Sequence, residues 1–574
     1  MNKYQWVIKE NIAKDVAPKL PKLHPVISQL LFDRGLVTPE QIQQFLQPDY
    51  GNDVYDPYLF SQMQRAVDRI FSAQAAREKV IIYGDYDADG VCGSAILTKV
   101  FEEMDLDFET YLPNRELEGY GLNAKAINEL ADKKAKLIIT VDCGISNNNE
   151  VELVKKLGMD VIITDHHHSP GSLPKAWAII HPGLDPGYPF KDLSGGGTAF
   201  KLAQALLRQL KKKSGSAEDP AAEKWLLDLV AISTVADLVP LMGENRALVK
   251  YGLLVLGKTK NLGLQKLMEI AGLNLQKVDT RAVGWQIAPR INAAGRMDHA
   301  NSAYRLLTTA NVEEAITIAS GLNKRNADRQ SLTEKLIEES KKQIGPVPGD
   351  LPVIFSWGAD WPVGVIGLVA SKLTNLHGRP AIVLSKQGEK LVASGRSIQE
   401  FNLIEALTKF KDYFDKFGGH SGAAGFSIGA GKFDEFKAKF TALAQEQLAG
   451  MSFMPRLIID AQLELKDFTW PLLEALKKFE PFGQSNFKPR FLIKDLTVMS
   501  CENVGQGDQH LRLIVRQGNE QRRVICFGFG DYLEKLNPQD QVEMVCEAGI
   551  NKWNGSQEIQ LSLVDIKPAG NGKI

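Results

Sequence analysis

The chain has 574 residues, of which 44% are hydrophobic and 24% charged, and its net charge is −1. This is a globular composition, too long for one core, and roughly three to five domains are expected. Near-neutrality gives no support for a nucleic-acid partner through overall charge, so any basic surface must be local. The five cysteines, Cys92, Cys143, Cys501, Cys526 and Cys546, are scattered and form no C-x-x-C pair. That argues against a disulfide framework or a thiolate zinc site. The opening MNKYQWVIKENIAKD has no apolar core of signal-peptide length. No apolar run approaches the ~20 residues of a membrane span. A reduced, cytoplasmic protein with no membrane partner is the expectation.

In chain order, residues 1–75 read as a mostly helical N-terminal region, with TPEQIQQFLQP as an amphipathic element and no evident chemistry. From 76 the pattern changes. KVIIYG, AKLIITVD and MDVIITDHH are short β-branched runs that end in polar residues, with helical patterns between them. Strands alternating with helices predict a parallel α/β sheet over 76–310. Ligands bind such sheets at the carboxyl ends of the strands. A helical region begins near 198, and its last part, about 311–345, is one long helix or two stacked ones that connect domains. GPVPGD breaks it. PVIFSW, PAIVLS and KLVASGR then predict a smaller α/β domain over 346–452. The segments from 453 to 574, among them RFLIKDLTVMS, HLRLIVRQG and EIQLSLVDIKP, predict a small β-barrel.

The strand ends carry the chemistry. The first, VIIYGDYDADGVCGSA, supplies Asp85, Asp87 and Asp89; the second, LIITVDCGIS, supplies Asp142. The third, VIITDHHHSP, supplies Asp165, His166, His167 and His168. On neighbouring strands these side chains converge, and carboxylates cannot share a pocket as free anions. One or two divalent cations resolve the repulsion. Carboxylate and imidazole donors without thiolates suit Mn²⁺, Mg²⁺ or Zn²⁺. Two metals about 3.5–4 Å apart suit phosphoester hydrolysis by an activated water. Each motif alone has a plainer explanation: a turn or calcium loop for DxDxDG, a surface tract for the histidines. A fourth run, WLLDLVAISTVADLVPLM, is almost wholly apolar yet holds Asp228 and Asp237. A buried carboxylate needs a partner, and Asp237 is either a cap, a salt-bridged residue or a further ligand.

DYDADG, VDCGIS, DHH and STVADLVPL resemble the four ordered motifs of the DHH phosphoesterase superfamily. LPNRELEGYGLN, IAPRINAAGRMDHA, LNKRNADRQ, WPVGVIGLVASKL, SGRSI, FGGHSGAAGF and EPFGQSNFKPRF narrow the resemblance to its RecJ family. The resemblance implies a parallel-sheet DHH catalytic domain, a long connecting helix, a smaller α/β DHH-associated domain and an OB-like barrel. It implies a single-stranded-DNA-specific 5′-3′ exonuclease of DNA repair and recombination that releases mononucleotides. A phosphodiesterase of short oligonucleotides or cyclic dinucleotides is the alternative on the same core, though such relatives usually lack the barrel.

The resemblance also implies roles. Asp142 bridges two divalent metals, Mn²⁺ preferred or Mg²⁺. Asp87, with Asp85 nearby, serves the first; Asp89, His166 and Asp237 serve the second. His167 contacts the scissile phosphate and Asp165 orients the histidines. Some superfamily members place a ligand histidine where this chain has Tyr83. Arg115, Ser394 and Arg396 hold the 5′ end of the strand, while Arg290 and Arg296 line the cleft. His420 lies on a substrate-facing loop. A narrow passage between the two α/β domains excludes duplexes. Arg512, Arg516, Arg522 and Arg523, interleaved with Phe527, Phe529 and Trp553, suit single-strand binding by the barrel. Single-stranded DNA is the implied substrate. A single-stranded-DNA-binding protein and a helicase are the implied protein partners, and the implied state is a monomer.

Overall fold

The computed structural model describes residues 4–12, 23–169, 171–215, 222–553 and 556–570. They form two compact units: residues 49–451, and the described residues up to Pro48 together with those from Ser452. Among the described residues no helix is long and apolar enough to cross a membrane.

The N-terminal region is not purely helical. It opens with strand β1 (Gln5–Ile8), which pairs in parallel with β12 (Arg456–Ile459). The Trp6 indole donates to Asp565, a buried carboxylate, at 2.7 Å. With only four residues and a partner about 450 positions away, β1 carries no periodicity that could reveal it.

In residues 49–451 the first sheet holds β2 (Lys79–Gly84), β3 (Phe108–Tyr111), β4 (Ala135–Val141), β5 (Asp160–Thr164) and β6 (Ala178–Ile180). Their order is β3-β2-β4-β5-β6 and every pair is parallel. Both faces are covered, which is why these strands read as continuous apolar runs. Val80, Ile82, Leu137 and Ile139 pack on one side; Ile81, Tyr83, Ile138 and Ile163 pack on the other. Helix Ala88–Glu103 follows β2 and is buried along most of its length, between the sheet and helices Gly195–Ser214 and Leu227–Ala236. A single 33-residue helix, Val312–Ile344, resolves the choice between one helix and two. Asn311 caps it, with its side chain accepting from Glu314 N.

The second sheet contains β7 (Ile354–Ala359), β8 (Ala381–Gln387), β9 (Lys390–Arg396), β10 (Phe414–His420) and β11 (Ala423–Gly429), in the order β10-β11-β9-β8-β7. Val365, Ile366 and Val369 of helix Val363–His377 pack with Leu336 and Ile337 of the long helix. A group of aromatic rings, Phe355, Phe426, Phe436 and Phe440, packs together between this sheet and helix Ala430–Gln447. The glycine-rich FGGHSGAAGF is not a loop. It is the tip of the β10–β11 hairpin, paired from Phe414–Ile428 to His420–Ala423.

In the other unit β13 (Ala461–Gln462) leads to β14 (Phe491–Val504), β15 (His510–Gln517), β16 (Glu520–Cys526), β17 (Gln541–Trp553) and β18 (Ser556–Pro568). The order β14-β15-β16-β18-β17 closes through a β14–β17 pairing, with β16 and β18 parallel. This is the closed five-stranded barrel of an OB fold.

Candidate metal centre and the arginine cluster beside it

The parallel sheet delivers its acidic residues at the carboxyl ends of β2, β4 and β5, the position where α/β sheets bind ligands. Asp85 follows β2 and donates its backbone N–H to Val141 O at 3.2 Å. Asp87 caps helix Ala88–Glu103; its Oδ1 accepts from the N–H groups of Asp89 (2.9 Å) and Gly90 (3.2 Å). Asp89 faces the start of helix Gly195–Ser214, where its two oxygens accept from Gly195 N (2.7 Å) and Gly196 N (2.8 Å). A helix N-terminus suits a carboxylate. Ser233 adds a hydroxyl donor to Asp89. Asp142 follows β4 in the left-handed region at φ 63°. A Cβ on Gly195 would lie 2.5 Å from Asp142 Oδ1, so that position admits only glycine.

Asp165 is fully buried. Its Oδ1 accepts from His166 N (2.7 Å), His167 N (3.1 Å) and His167 Nδ1 (2.9 Å); Oδ2 accepts from Ile145 N (2.9 Å). His166 Nε2 then lies 3.1 Å from Asp142 Oδ1, 3.5 Å from Asp237 Oδ2 and 3.6 Å from Asp89 Oδ2. Donor atoms converge in overlapping sets. Asp85, Asp87 and Asp142 form one, Asp89, His166 and Asp237 another, and Asp142, His166 and His167 a third; in each, the donors lie within 4.8 Å of one another. Asp142 belongs to two of them.

These donors also lack partners. Asp85 Oδ1, Asp142 Oδ1 and His166 Nε2 are buried with no hydrogen bond. Buried polar atoms are almost always satisfied, and three orphans facing one another fit a cation. The protonation pattern agrees. Burial, then the neighbouring carboxylates, push Asp85 and Asp142 well above the usual carboxylate range. Asp237 is pushed up to about 9 by burial and by Asp89 and Asp87. Asp165 behaves oppositely. Burial opposes its ionisation, yet the His167 bond and charge and the backbone donors hold it at about 2. His167 is correspondingly raised to about 9, against its burial, by Asp165. His166 is lowered by burial, which leaves it the neutral imidazole that a metal needs.

The basic residues form a second group. Arg115 lies over the Tyr86 ring at 4.9 Å. Arg296 donates to Gly364 O at 3.1 Å, and a Cβ on Gly364 would sit 2.4 Å from Arg296 O. Arg396 donates to Ser394 Oγ (3.1 Å) and Gly395 O (2.8 Å). Arg296 is pushed down to about 9 by burial and by Arg115, Arg329 and Arg396, with Asp87 opposing. Arg396 is lowered by burial and by Arg115. None of Arg115, Arg290, Arg296 and Arg396 has a salt bridge among the described residues. His420, at the exposed hairpin tip, is close enough to feel Arg396, His168 and His167. Arg290 stands apart: burial alone shifts it.

Several expectations need adjustment. The Tyr83 hydroxyl donates to Gly121 O and accepts from Asn123, and its ring stacks on Tyr111. It belongs to the sheet face away from helix Ala88–Glu103 and adds nothing to the donor sets. Asp228 is satisfied by Thr259 and Leu229 N, and belongs to none of them. In the barrel Arg512, Arg522 and Arg523 pair with Glu502, Glu520 and Glu558, which leaves Arg516 as the exposed one of the four with no ion pair among the described residues. Phe529 packs on Tyr532, while Phe527 is 57% exposed. The Trp553 side chain lies outside the described residues. Sequence reasoning missed Gly195, Gly196, Ser233 and Tyr120, whose hydroxyl meets His167 Nδ1 at 2.9 Å. The run LSGGGT, a capping serine before three glycines, was the available signal for the first two.

A parallel sheet with aspartates and histidines at its strand ends, joined by a long helix to a smaller α/β domain, defines a DHH phosphoesterase. Family models agree: the DHH family N-terminal domain matches residues 79–234, the DHHA1 domain 350–446 and the RecJ OB domain 459–565. The single-stranded-DNA-specific exonuclease RecJ of Bacillus subtilis is 37% identical over 98% of this chain and 71% of its own length. That of Salmonella typhimurium is 32% identical over 99% of this chain and its whole length. The crystal structure of RecJ in complex with Mn²⁺ from Thermus thermophilus superposes with a TM-score of 0.83 at 28% identity. That match covers 99% of this chain and 80% of that one. The chain belongs to the RecJ family.

Proposed function

We propose that this chain is a single-stranded-DNA-specific exonuclease that removes mononucleotides from the 5′ end, in DNA repair and recombination, with two divalent ions, Mn²⁺ or Mg²⁺. The observation that carries it is the pair of donor sets, with orphaned buried atoms in each, next to arginines without acidic partners. Asp85, Asp87 and Asp142 would hold one ion; Asp89, His166 and Asp237 would hold the other with Asp142 between them. Bound there, the ions supply an activated water and stabilise charge on the scissile phosphate. Asp165 fixes the imidazoles through three donors on one oxygen. His167, kept protonated near neutral pH by Asp165, offers positive charge to the phosphate. Arg115, Ser394 and Arg396 hold the 5′ end, Arg290 and Arg296 line the cleft, and His420 approaches the strand from the hairpin tip. Guanidinium groups suit phosphate because they donate two parallel hydrogen bonds.

The working division is catalytic over 76–310, connecting over 311–345, substrate-binding over 346–452 and strand-holding over 453–574, with 1–75 unassigned. A monomer that works with a single-stranded-DNA-binding protein and a helicase in the cytoplasm rests on the family alone.

The test is cleavage of matched single-stranded and duplex oligonucleotides, labelled at either end, with Mn²⁺, Mg²⁺ or chelator. Immediate mononucleotide release from the 5′-labelled single strand, abolished by chelator and resisted by duplex, is expected. Action only on dinucleotides or cyclic dinucleotides would overturn the strand reading and keep the metal centre.

A further inference from the structure

The motif LNKRNADRQ lies in the middle of the long helix Val312–Ile344. Two of its residues are asparagines that hold arginines. Asn323 Oδ1 accepts from Arg290 Nε at 3.0 Å, while Arg290 Nη1 donates to Gln286 O at 2.7 Å. Asn326, 3% exposed, accepts from Arg329 Nη2 at 2.9 Å. Arg329 Nε is buried and has no hydrogen-bond partner among the described residues.

The choice of acceptor is what needs explaining. Two other arginines of this unit are held by acids. Arg69 pairs with Glu78 and Asp160, each at 2.7 Å, and is raised despite burial, which opposes. On the same long helix Arg325 pairs with Asp298 at 2.7 Å. Among the described residues Arg290 and Arg329 have only neutral amide and carbonyl partners, and burial alone lowers both. An amide oxygen fixes a guanidinium in place as a carboxylate does, but leaves its charge uncancelled. Arg329 is also near enough to Arg296 to be felt as a like charge. A half-buried, uncancelled guanidinium whose buried Nε–H has no partner among the described residues, beside another arginine, suits an anion.

We propose that Arg329 is a further phosphate-binding residue of the cleft, and that Asn326 and Asn323 are positioning residues that hold Arg329 and Arg290 without neutralising them. The inference rests on the exonuclease reading, in which the ligand is a phosphate of the single strand.

The substitutions that test it are Arg329→Gln, Arg329→Lys, Asn326→Asp and Asn323→Asp in the full chain. Binding of a fluorescent oligothymidylate is read in chelator over a salt series, and KM and kcat are read in Mn²⁺. Arg329→Gln should weaken binding about tenfold. It should also flatten the slope of log affinity against log salt by about 0.7, one contact's worth. KM should rise more than kcat falls. Arg329→Lys keeps the charge and loses the Nε donor, so it should weaken binding with the slope retained. The aspartates can accept the same hydrogen bonds, so thermal stability should hold or rise while binding and slope fall. A purely structural role predicts the opposite, aspartate variants that bind and cleave like the parent. That result, or Arg329→Gln with unchanged affinity, KM and slope, overturns the inference. If instead the parent itself cleaves no single strand, it is the exonuclease reading that falls.

Discussion

Two clusters of like charge stand side by side in residues 49–451, and they are built in opposite ways. The carboxylates at the strand ends are held by backbone N–H groups: Gly195 and Gly196 for Asp89, Asp89 and Gly90 for Asp87, Ile145 for Asp165. The arginines are held by oxygens without full charge: Gly364 O for Arg296, Ser394 Oγ and Gly395 O for Arg396, Asn326 for Arg329. Apart from Asp165, which pairs with His167, each cluster is fixed in place and left without its counter-charge. The difference in sign is what the proposed function uses, with cations to complete the first and phosphates the second. A third charged site makes the contrast clear. Lys201 and Glu244, both fully buried, pair directly, and Glu244 also accepts from Tyr188 and Tyr55 N. That pair is complete and needs no ligand.

The largest effect should come from Asp142, a carboxylate that belongs to two donor sets. Asp142→Asn should lower cleavage on the order of a thousandfold, as loss of a metal-bridging group would. Strand binding in chelator should stay near the parent's, since the arginines are untouched. Equal loss of both would break the separation between the clusters. Next is the completed pair. Lys201→Met leaves Glu244 buried and unpaired, and should cost about 3–5 kcal/mol in denaturant unfolding. Metal content should not change. Then comes the arginine cluster: Arg396→Ala should raise KM for single strands about thirtyfold, with a smaller change in kcat.

The smallest effect is a pH trend. Asp237 is held up to about 9 when no metal is present, against about 4 in the unfolded chain. A raised carboxyl stabilises the fold fully below the unfolded value, and that contribution is lost as pH rises toward 9. The metal-free chain should therefore melt at lower temperature as pH rises across that window. Mn²⁺ replaces the protons, so its thermal shift should grow over the same range. A shift independent of pH would sever the carboxylates from the metal.

The sequence revealed most of the carboxylate cluster and much less of the arginine cluster, for a physical reason. Asp85, Asp87, Asp89, Asp142 and Asp165 sit directly after apolar β-branched runs, so the strand that positions each one is written next to it. Asp237 was less plain, because its run also holds Asp228, which Thr259 satisfies instead. The supporting donors Gly195, Gly196 and Ser233 reach Asp89 from more than a hundred positions away. The arginines depend on packing between helices and on the β9 strand, so Arg329 and its asparagine look like any polar stretch of a long helix. β1 was hidden likewise, since its partner β12 lies at the other end of the chain. The barrel strands were legible, but which of its arginines already had acidic partners was not.

Two cations that share Asp142 complete the carboxylate cluster in the proposed function. Mn²⁺ bound per chain, counted by equilibrium titration of the full protein near pH 8 for the parent and for Asp142→Asn, tests it most directly. Two ions are expected in the parent, with a joint weakening of both in Asp142→Asn. A single ion in the parent, or two ions bound unchanged when Asp142 is replaced, would contradict it.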